Sequence, residues 1–197
     1  MKPADRRPIP LLVLVALSLG APLLSACGAA TSGGASPGGD EVTVISTELG
    51  EYRIERRRDH GASSARLAAT QREVYAALPG VYRDLGIPLG TVDSDRFLVG
   101  NTAHRASRRI AGVRMSHFFR CGRSGGFGTE LAEAGPIRIS ILSRVQAEGA
   151  DGARIRTEAS AQASATDGTS TRRSECASTG ALEGLIVAMV EERLAAQ

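Results

Sequence analysis

The chain has 197 residues, of which 42% are hydrophobic and 4% are aromatic, with no Trp. This length suits one domain plus targeting segments, and the composition is sufficient for a core of mainly aliphatic side chains. The formal charge is +3, and the first 26 residues carry +2 of it, from Lys2, Arg6, Arg7 and Asp5. Because the remaining chain is nearly neutral, it is poorly suited to neutralising phosphates, and we expect no nucleic-acid partner.

The first 26 residues have the order of regions that is typical of an export signal. Met1–Arg7 is short and basic, and Ile9–Leu19 is apolar but too short to span a bilayer comfortably. The tetrad that follows, LSAC at Leu24–Cys27, resembles the lipobox of bacterial lipoproteins, in which Leu and two small residues precede a Cys. This order of regions predicts a lipoprotein signal peptide over residues 1–26.

The resemblance implies that a diacylglyceryl group, with acyl chains such as palmitate, is transferred to the Cys27 thiol. It also implies cleavage between Ala26 and Cys27. A cysteine suits this chemistry because its thiolate is a good nucleophile. Two alternatives remain open, namely an ordinary secretory signal with a chance cysteine and an uncleaved membrane anchor.

The residue after the cysteine indicates the destination. Lipoproteins without Asp at that position usually reach the outer membrane of diderm bacteria, and here the position holds Gly28. We therefore expect the periplasmic face of the outer membrane in a diderm host, or the outer face of the cytoplasmic membrane in a monoderm one. Residues 27–40 are rich in Gly, Ser and Ala and predict a flexible tether with a reach of about 20 Å.

Residues 41–197 are predicted to form a single α+β domain. Alternating or β-branched segments predict strands at Glu41–Thr47, Tyr52–Arg57, Leu89–Val92, Arg96–Gly100, Met115–Cys121, Ile137–Ile141, Ile155–Ala159 and Thr171–Cys176. Turns are predicted at Asp93–Asp95, Asp151–Gly152 and Asp167–Gly168, and the glycine-rich Gly122–Gly135 predicts a long mobile loop.

Two helices are predicted from apolar residues at helical spacing. The first begins at a Ser63 or Ser64 cap and runs to about Leu85, with a kink or break at Pro79-Gly80. The second is capped by Ser178 and has an apolar stripe formed by Leu182, Leu185, Ile186, Met189, Val190 and Leu194. The order of elements predicts an antiparallel sheet with two helices packed on one face.

Three segments are similar to a pattern in helix-grip envelope lipoproteins of the BamC type, which assist barrel assembly in the outer membrane. They are Glu73–Leu78, Leu85–Pro88 and the hairpin with Asp93 and Asp95. The resemblance covers about thirty residues and the order of elements, and the position that usually holds Trp holds Tyr75. It implies a helix-grip-like fold more than a particular function.

With Cys27 assigned to the lipid, Cys121 and Cys176 remain as an even pair in an oxidising compartment. A disulfide between them would join the middle of the sheet to the strand before the last helix. The alternatives are two free buried thiols, or a metal site that uses His117 and Cys121. We expect the disulfide.

Residues with catalytic potential are scattered through the sequence. The three histidines, His60, His104 and His117, have no metalloprotease spacing and no nucleophile elbow beside them. Asp93 and Asp95 fit a turn, and Gly122–Gly128 lacks the ending that a phosphate-binding loop requires. We therefore expect no catalytic residues, no metal and no cofactor, and interpret the chain as a non-enzyme.

Arginines form two groups that could serve binding. Arg105, Arg108 and Arg109 lie between predicted strands, and Arg138, Arg144, Arg154 and Arg156 share the predicted wet face of the central hairpin. Such a face could bind an anionic ligand or acidic partner, or it could simply be solvated. The expected function is that of a membrane-anchored binding or scaffolding module with an envelope protein partner. The alternative is a carrier that holds a lipid or small apolar ligand between helices and sheet.

Overall fold

The computed structural model describes residues 41–56, 62–123, 128–167 and 170–197. Within these ranges the chain is an α+β protein in which the paired strands are antiparallel. The strands are β1 (Glu41–Thr47), β2 (Gly50–Arg56), β3 (Ala62–Leu67), β4 (Thr91–Asp93), β5 (Leu98–Ala106), β6 (Arg109–Ile110), β7 (Val113–Arg114), β8 (Phe119–Arg120), β9 (Ile137–Ala147), β10 (Ala153–Asp167) and β11 (Ser170–Ser178). The helices are α1 (Gln71–Asp84), α2 (Met115–Phe118), α3 (Leu131–Ala134) and α4 (Ala181–Ala195).

The main sheet has seven strands in the order β4-β5-β9-β10-β11-β8, with β3 also paired to β10. Along one edge, β10 pairs with two strands in succession: residues 153–158 pair with β3, and residues 161–167 pair with β11. The other edge of β10 pairs with β9. Two short hairpins, β1-β2 and β6-β7, lie outside this sheet.

The central strands β9 and β10 alternate between a buried and an exposed face, as the sequence predicted. Odd-numbered residues from Ile137 to Val145 and from Ala153 to Ala163 are buried, whereas the even-numbered residues between them are exposed or half-buried. Helix α1 contacts β9, and α4 contacts β10. The connection at Asp151-Gly152 is confirmed, while the predicted turn at Asp167-Gly168 extends outside the described residues.

The start of the first helix was predicted wrongly. Ser63 and Ser64 belong to β3, because side chains in this segment alternate in exposure and the backbone pairs with β10. Helix α1 begins after Thr70, whose hydroxyl accepts a hydrogen bond from the Glu73 amide at 3.3 Å while the Glu73 carboxylate accepts one from the Thr70 amide at 2.8 Å. These hydrogen bonds from Thr70 hold the pKa of Glu73 below its ordinary value. The reciprocal capping box was the stronger start signal in the sequence.

Of the predicted kink or break at Pro79-Gly80, the break does not occur, because α1 runs on to Asp84. Gly80 is buried, and a methyl group on it would overlap the guanidinium of Arg193 from α4. Arg193 also forms an ion pair with Asp84 at the end of α1. The small residue after the proline therefore leaves room for the Arg193 guanidinium against α1.

The segment predicted as a strand from Met115 to Cys121 is the short helix α2 followed by β8. Its apolar residues Met115, Phe118 and Phe119 are all buried, so they do not show the alternation that a long strand requires. The predicted loop Gly122–Gly135 contains α3 and a bridge between Arg123 and Glu130. Residues 124–127 of that loop lie outside the described ranges.

Helix α4 is buried on more sides than its predicted stripe requires. Residues from Ala181 to Val187 are buried without interruption, because α4 contacts β2 as well as α1 and β10. Ser178 is not the N-cap residue, which is Gly180 with a positive φ of 81°. Instead, the Ser178 hydroxyl donates to the buried Glu183 carboxylate at 2.6 Å and accepts from the Gly180 amide at 3.0 Å.

A chain of buried hydroxyl groups connects α1 to the central strands. Tyr82 Oη lies 3.0 Å from Ser143 Oγ, which lies 2.8 Å from Thr157 Oγ1. Burial raises the pKa of Tyr82, so its hydroxyl stays protonated at neutral pH. These hydrogen bonds satisfy polar groups that would otherwise be costly in the core.

Gly184 allows α4 to approach β2, and replacing it should destabilise the protein. A methyl group at this position would overlap Ile54 Cγ2. We expect Gly184→Ala to lower the free energy of unfolding by about 1–3 kcal/mol, as overpacking of a core does. Urea denaturation of the single variants Gly184→Ala and Ile54→Ala and of the double variant would check this. The two losses should be less than additive, and equal stability of Gly184→Ala and the wild type would contradict the packing.

Candidate functional site

The predicted lipidation and cleavage residues lie outside the described part of the chain. Ala26 and Cys27 belong to residues 1–40, whose structure is not described. In the described ranges, no helix combines the length and apolar character needed to cross a membrane.

Cys121 and Cys176 form a disulfide with sulfur atoms 2.04 Å apart, which is the pairing predicted from the sequence. Their positions are directly opposite each other in the register of β8 and β11, since the neighbouring Arg120 pairs with Ala177. Both cysteines are buried, and Ser174 Oγ donates to the Cys121 carbonyl at 3.1 Å. The bond therefore fastens the short strand β8 to the edge of the sheet.

The two described histidines lie on different elements, His104 on β5 and His117 on α2. His104 follows an irregularity in β5 and is half-buried, which lowers its pKa below the ordinary value. His117 is exposed on α2, and its carbonyl accepts a hydrogen bond from Thr179 Oγ1 at 2.7 Å. His60 lies outside the described residues. Among the described side chains, no group of three His, Cys, Asp or Glu could hold a metal ion.

Asp93 and Asp95 belong to the turn between β4 and β5. Asp93 Oδ1 accepts hydrogen bonds from the amides of Asp95 and Arg96, at 3.1 and 3.0 Å. This is the local bonding for which Asp is favoured in turns. The carboxylate is thus engaged with its own hairpin between β4 and β5.

The interior between the long helices and the sheet is filled by side chains. Seven apolar residues of α1 and α4 have no exposed surface: Val74, Leu78, Val81, Leu182, Leu185, Ile186 and Val190. A cavity large enough for a water molecule would give its lining residues accessible surface. These side chains are therefore close-packed.

The exposed face of the main sheet carries arginines, and at one end three of them form ion pairs with glutamates. Glu148 forms ion pairs with both Arg66 and Arg154, each at 2.7 Å. The hydrogen bond from Arg154, supported by that from Arg66, holds the pKa of Glu148 below its ordinary value. Arg156 forms an ion pair with Glu158 at 2.9 Å. This end of the face matches the expectation of a solvated, charge-balanced surface.

The opposite end of the same face forms a cleft of about 240 Å³ with a different charge balance. Three arginines from three strands line it, namely Arg105 of β5, Arg138 of β9 and Arg173 of β11. The cleft is completed by Gln162, Ser164, Pro136 and Ile137. No carboxylate is among these lining residues, so the lining carries three positive charges and no negative one.

Sequence reasoning placed Arg105 and Arg138 in separate groups and missed Arg173. The structure brings Arg105 and Arg138 directly opposite each other on β5 and β9. Arg173 is opposite Ser164, the residue two positions beyond Gln162 on the exposed side of β10. Because side chains alternate along a strand, the position of the buried Cys176 could have indicated that Arg173 lies on the opposite face. The register of β11 against β10 was not readable from the sequence.

Comparisons with known proteins returned no match, whether with protein-family models, with curated proteins or with solved structures.

Proposed function

We propose that this chain is a lipid-anchored protein of the bacterial cell envelope that acts as a non-enzymatic binding or scaffolding module. The observation that supports export most directly is the disulfide between Cys121 and Cys176. Structural disulfides persist in oxidising compartments and are rare in the cytosol. An exported chain with the LSAC tetrad at Leu24–Cys27 has the features of a lipoprotein precursor.

Cleavage before Cys27 leaves the lipidated cysteine at the start of a short Gly-rich tether. Gly28 after the cysteine directs the chain to the periplasmic face of the outer membrane in a diderm host, and a monoderm host retains it on its cytoplasmic membrane. The tether keeps the folded part within about 20 Å of the bilayer surface. Its partner is therefore an envelope component that is reached at that distance.

We propose a helix-grip-like arrangement for the domain, with α1 and α4 on one face of the main sheet. The buried odd-numbered positions of β9 and β10 and the contacts of α1 and α4 with these strands support it. The opposite face, with its even-numbered polar residues, is then the surface offered to a partner. The buried apolar side chains of α1 and α4 are close-packed, and the groove of about 720 Å³ beside α4 is lined in part by charged residues, namely Arg53, Arg66, Arg154 and Glu191. This lining favours the binding role over that of a carrier for an apolar ligand.

Lipidation is tested by replacing the proposed attachment residue. We expect Cys27→Ser to lose the label from radioactive palmitate and to leave the washed membrane fraction. Each buried CH₂ of an acyl chain contributes about 0.8 kcal/mol to anchoring, so two or more chains hold the protein stably. Ser25→Ala is the matched control, because it keeps a small residue before the cysteine and should remain labelled. Equal labelling of the Cys27→Ser chain would contradict the proposal.

The binding role is tested by crosslinking in native membranes and identification of the proteins joined to this chain. A specific envelope complex that disappears with Cys27→Ser supports a module working at the membrane surface. A reproducible turnover by the purified chain, abolished by one point substitution, would contradict the non-enzymatic role.

A further inference from the structure

Arginines stand directly opposite each other at three places on the exposed face of the main sheet. The pairs are Arg66 with Arg154, Arg156 with Arg144, and Arg105 with Arg138. Like charges at opposite positions of adjacent strands destabilise a sheet. Each such pair therefore needs a compensating negative charge.

Two of the three pairs have that compensation within the protein. Glu148 bonds both members of the first pair, and Glu158 bonds Arg156 of the second. For Arg105 and Arg138, the described part of the chain provides no ion-pair partner. Glu175 stands in the same row, opposite Gln162 on the far side of β10, and its carboxylate accepts a hydrogen bond from Gln162 at 2.7 Å.

The pairing of Arg105 with Arg138 depends on a backbone irregularity. The register of β5 against β9 shifts between Asn101 and His104. Because side chains alternate along a strand, a one-residue shift moves every later side chain to the other face. The shift brings Arg105 to the exposed face while Ala106 is buried opposite Ile137.

Local hydrogen bonds hold this irregularity in place. Asn101 Oδ1 accepts from the Ala103 amide at 2.8 Å, and Asn101 Nδ2 donates to the Pro88 carbonyl at 2.7 Å. The irregularity thus places Arg105 and Arg138 opposite each other on adjacent strands, and Arg173 from β11 lines the same cleft. Bulges of this kind often redirect side chains beside functional sites.

We propose that the cleft between Arg105, Arg138 and Arg173 binds a phosphoryl group. Guanidinium groups match the oxygens of phosphate in bidentate hydrogen bonds, and three of them suit an anion with more than one negative charge. The Ser164 hydroxyl and the Gln162 side chain add neutral hydrogen-bonding groups, and Pro136 and Ile137 form an apolar wall. The phosphoryl group can belong to a soluble ligand or to a lipid headgroup.

This inference goes beyond the proposed function, since it rests on the exposed sheet face and not on the anchor. Its failure would leave the assignment of Cys27 intact, and loss of lipidation would leave the cleft intact. The matched variants are Arg138→Gln, which removes the central arginine, and Arg144→Gln, which removes an arginine from the same face of β9 outside the cleft.

The experiment measures thermal unfolding of the full chain in detergent micelles at constant ionic strength. In one arm pyrophosphate is added, with chloride as the control. In the other arm phosphatidic acid is added, with diacylglycerol as the control, because the two lipids differ by the phosphate alone. Without ligand, Arg138→Gln should unfold at or above the wild-type temperature, because a like-charge contact is removed. Titration should show that Arg138→Gln weakens binding by about tenfold or more, whereas Arg144→Gln binds as the wild type does.

A rise in Tm with pyrophosphate for the wild type and Arg144→Gln, but not for Arg138→Gln, supports the site with a soluble ligand. The same pattern with phosphatidic acid alone supports it with a lipid ligand. Absence of a shift in both arms, or an equal shift in Arg138→Gln, would overturn the proposal.

Discussion

Replacement of both Cys121 and Cys176 by Ala is expected to lower the free energy of unfolding by about 4 kcal/mol. The disulfide closes a loop of 55 residues, and the loss of loop entropy in the unfolded chain accounts for this magnitude. Such a loss is a large part of the stability of a typical domain. The effect should be greatest at β8, which has two residues and is held to β11 beside the disulfide.

Denaturation with guanidinium chloride under oxidising conditions measures the difference in unfolding free energy between the wild type and the double variant. A reducing agent supplies the control, since it should bring the wild type close to the double variant without changing the double variant itself. If the variant and the wild type unfold at the same denaturant concentration in oxidising buffer, the disulfide does not stabilise the fold.

Replacement of Gly100 by Ala is expected to lower the free energy of unfolding by about 3 kcal/mol, because the added methyl group would meet backbone atoms of the neighbouring strand. A methyl group at this position would overlap the Ile141 carbonyl oxygen and lie 2.9 Å from Leu142 Cα. Flexible side chains can move aside, whereas the paired backbone of β9 cannot move without losing hydrogen bonds to β5. The substitution should therefore also disturb the irregularity that begins at Asn101.

Gly135→Ala is the matched control, because a methyl group there meets no atom within 4 Å and the backbone is extended. It should leave the unfolding midpoint nearly unchanged. Hydrogen exchange at β5 would show the local effect of Gly100→Ala. Wild-type stability in the Gly100→Ala variant would mean that β5 and β9 are not as close as described.

The central sheet was predictable because its pattern is local. The isoleucines of β9 alternate with polar residues, and the turn at Asp151-Gly152 fixes where β10 begins. The segment from Ser63 to Leu67 was misassigned because its weak apolar character fits either a strand or a helix start. Pairing with β10, a contact distant in sequence, determined that it is a strand.

The burial of α4 illustrates a second limit of sequence reasoning. An apolar stripe predicts which face of a helix packs on a sheet, but it does not show that another element covers the remaining sides. The hairpin of β1 and β2 does so here, with Ile45, Tyr52 and Ile54 buried. Gly184 is the one position in the buried part of α4 where the close approach of β2 excludes a side chain, since a methyl group there would overlap Ile54.

The arginine cleft was only partly predictable. Alternation placed Arg138 on the wet face, and that prediction is confirmed by its exposure. The position of Arg105 depends on a one-residue register shift in β5, and that of Arg173 depends on which residue of β10 it opposes. Register is set by pairing between strands, so neither position could be read from local patterns.

The most direct test of the central claim is mass spectrometry of the N-terminal peptide from the chain recovered from envelope membranes. We expect a chain that begins at Cys27 and carries a diacylglyceryl group on the cysteine sulfur. A chain that still begins at Met1, one cut at another residue, or one in which Cys27 has a free thiol would contradict it.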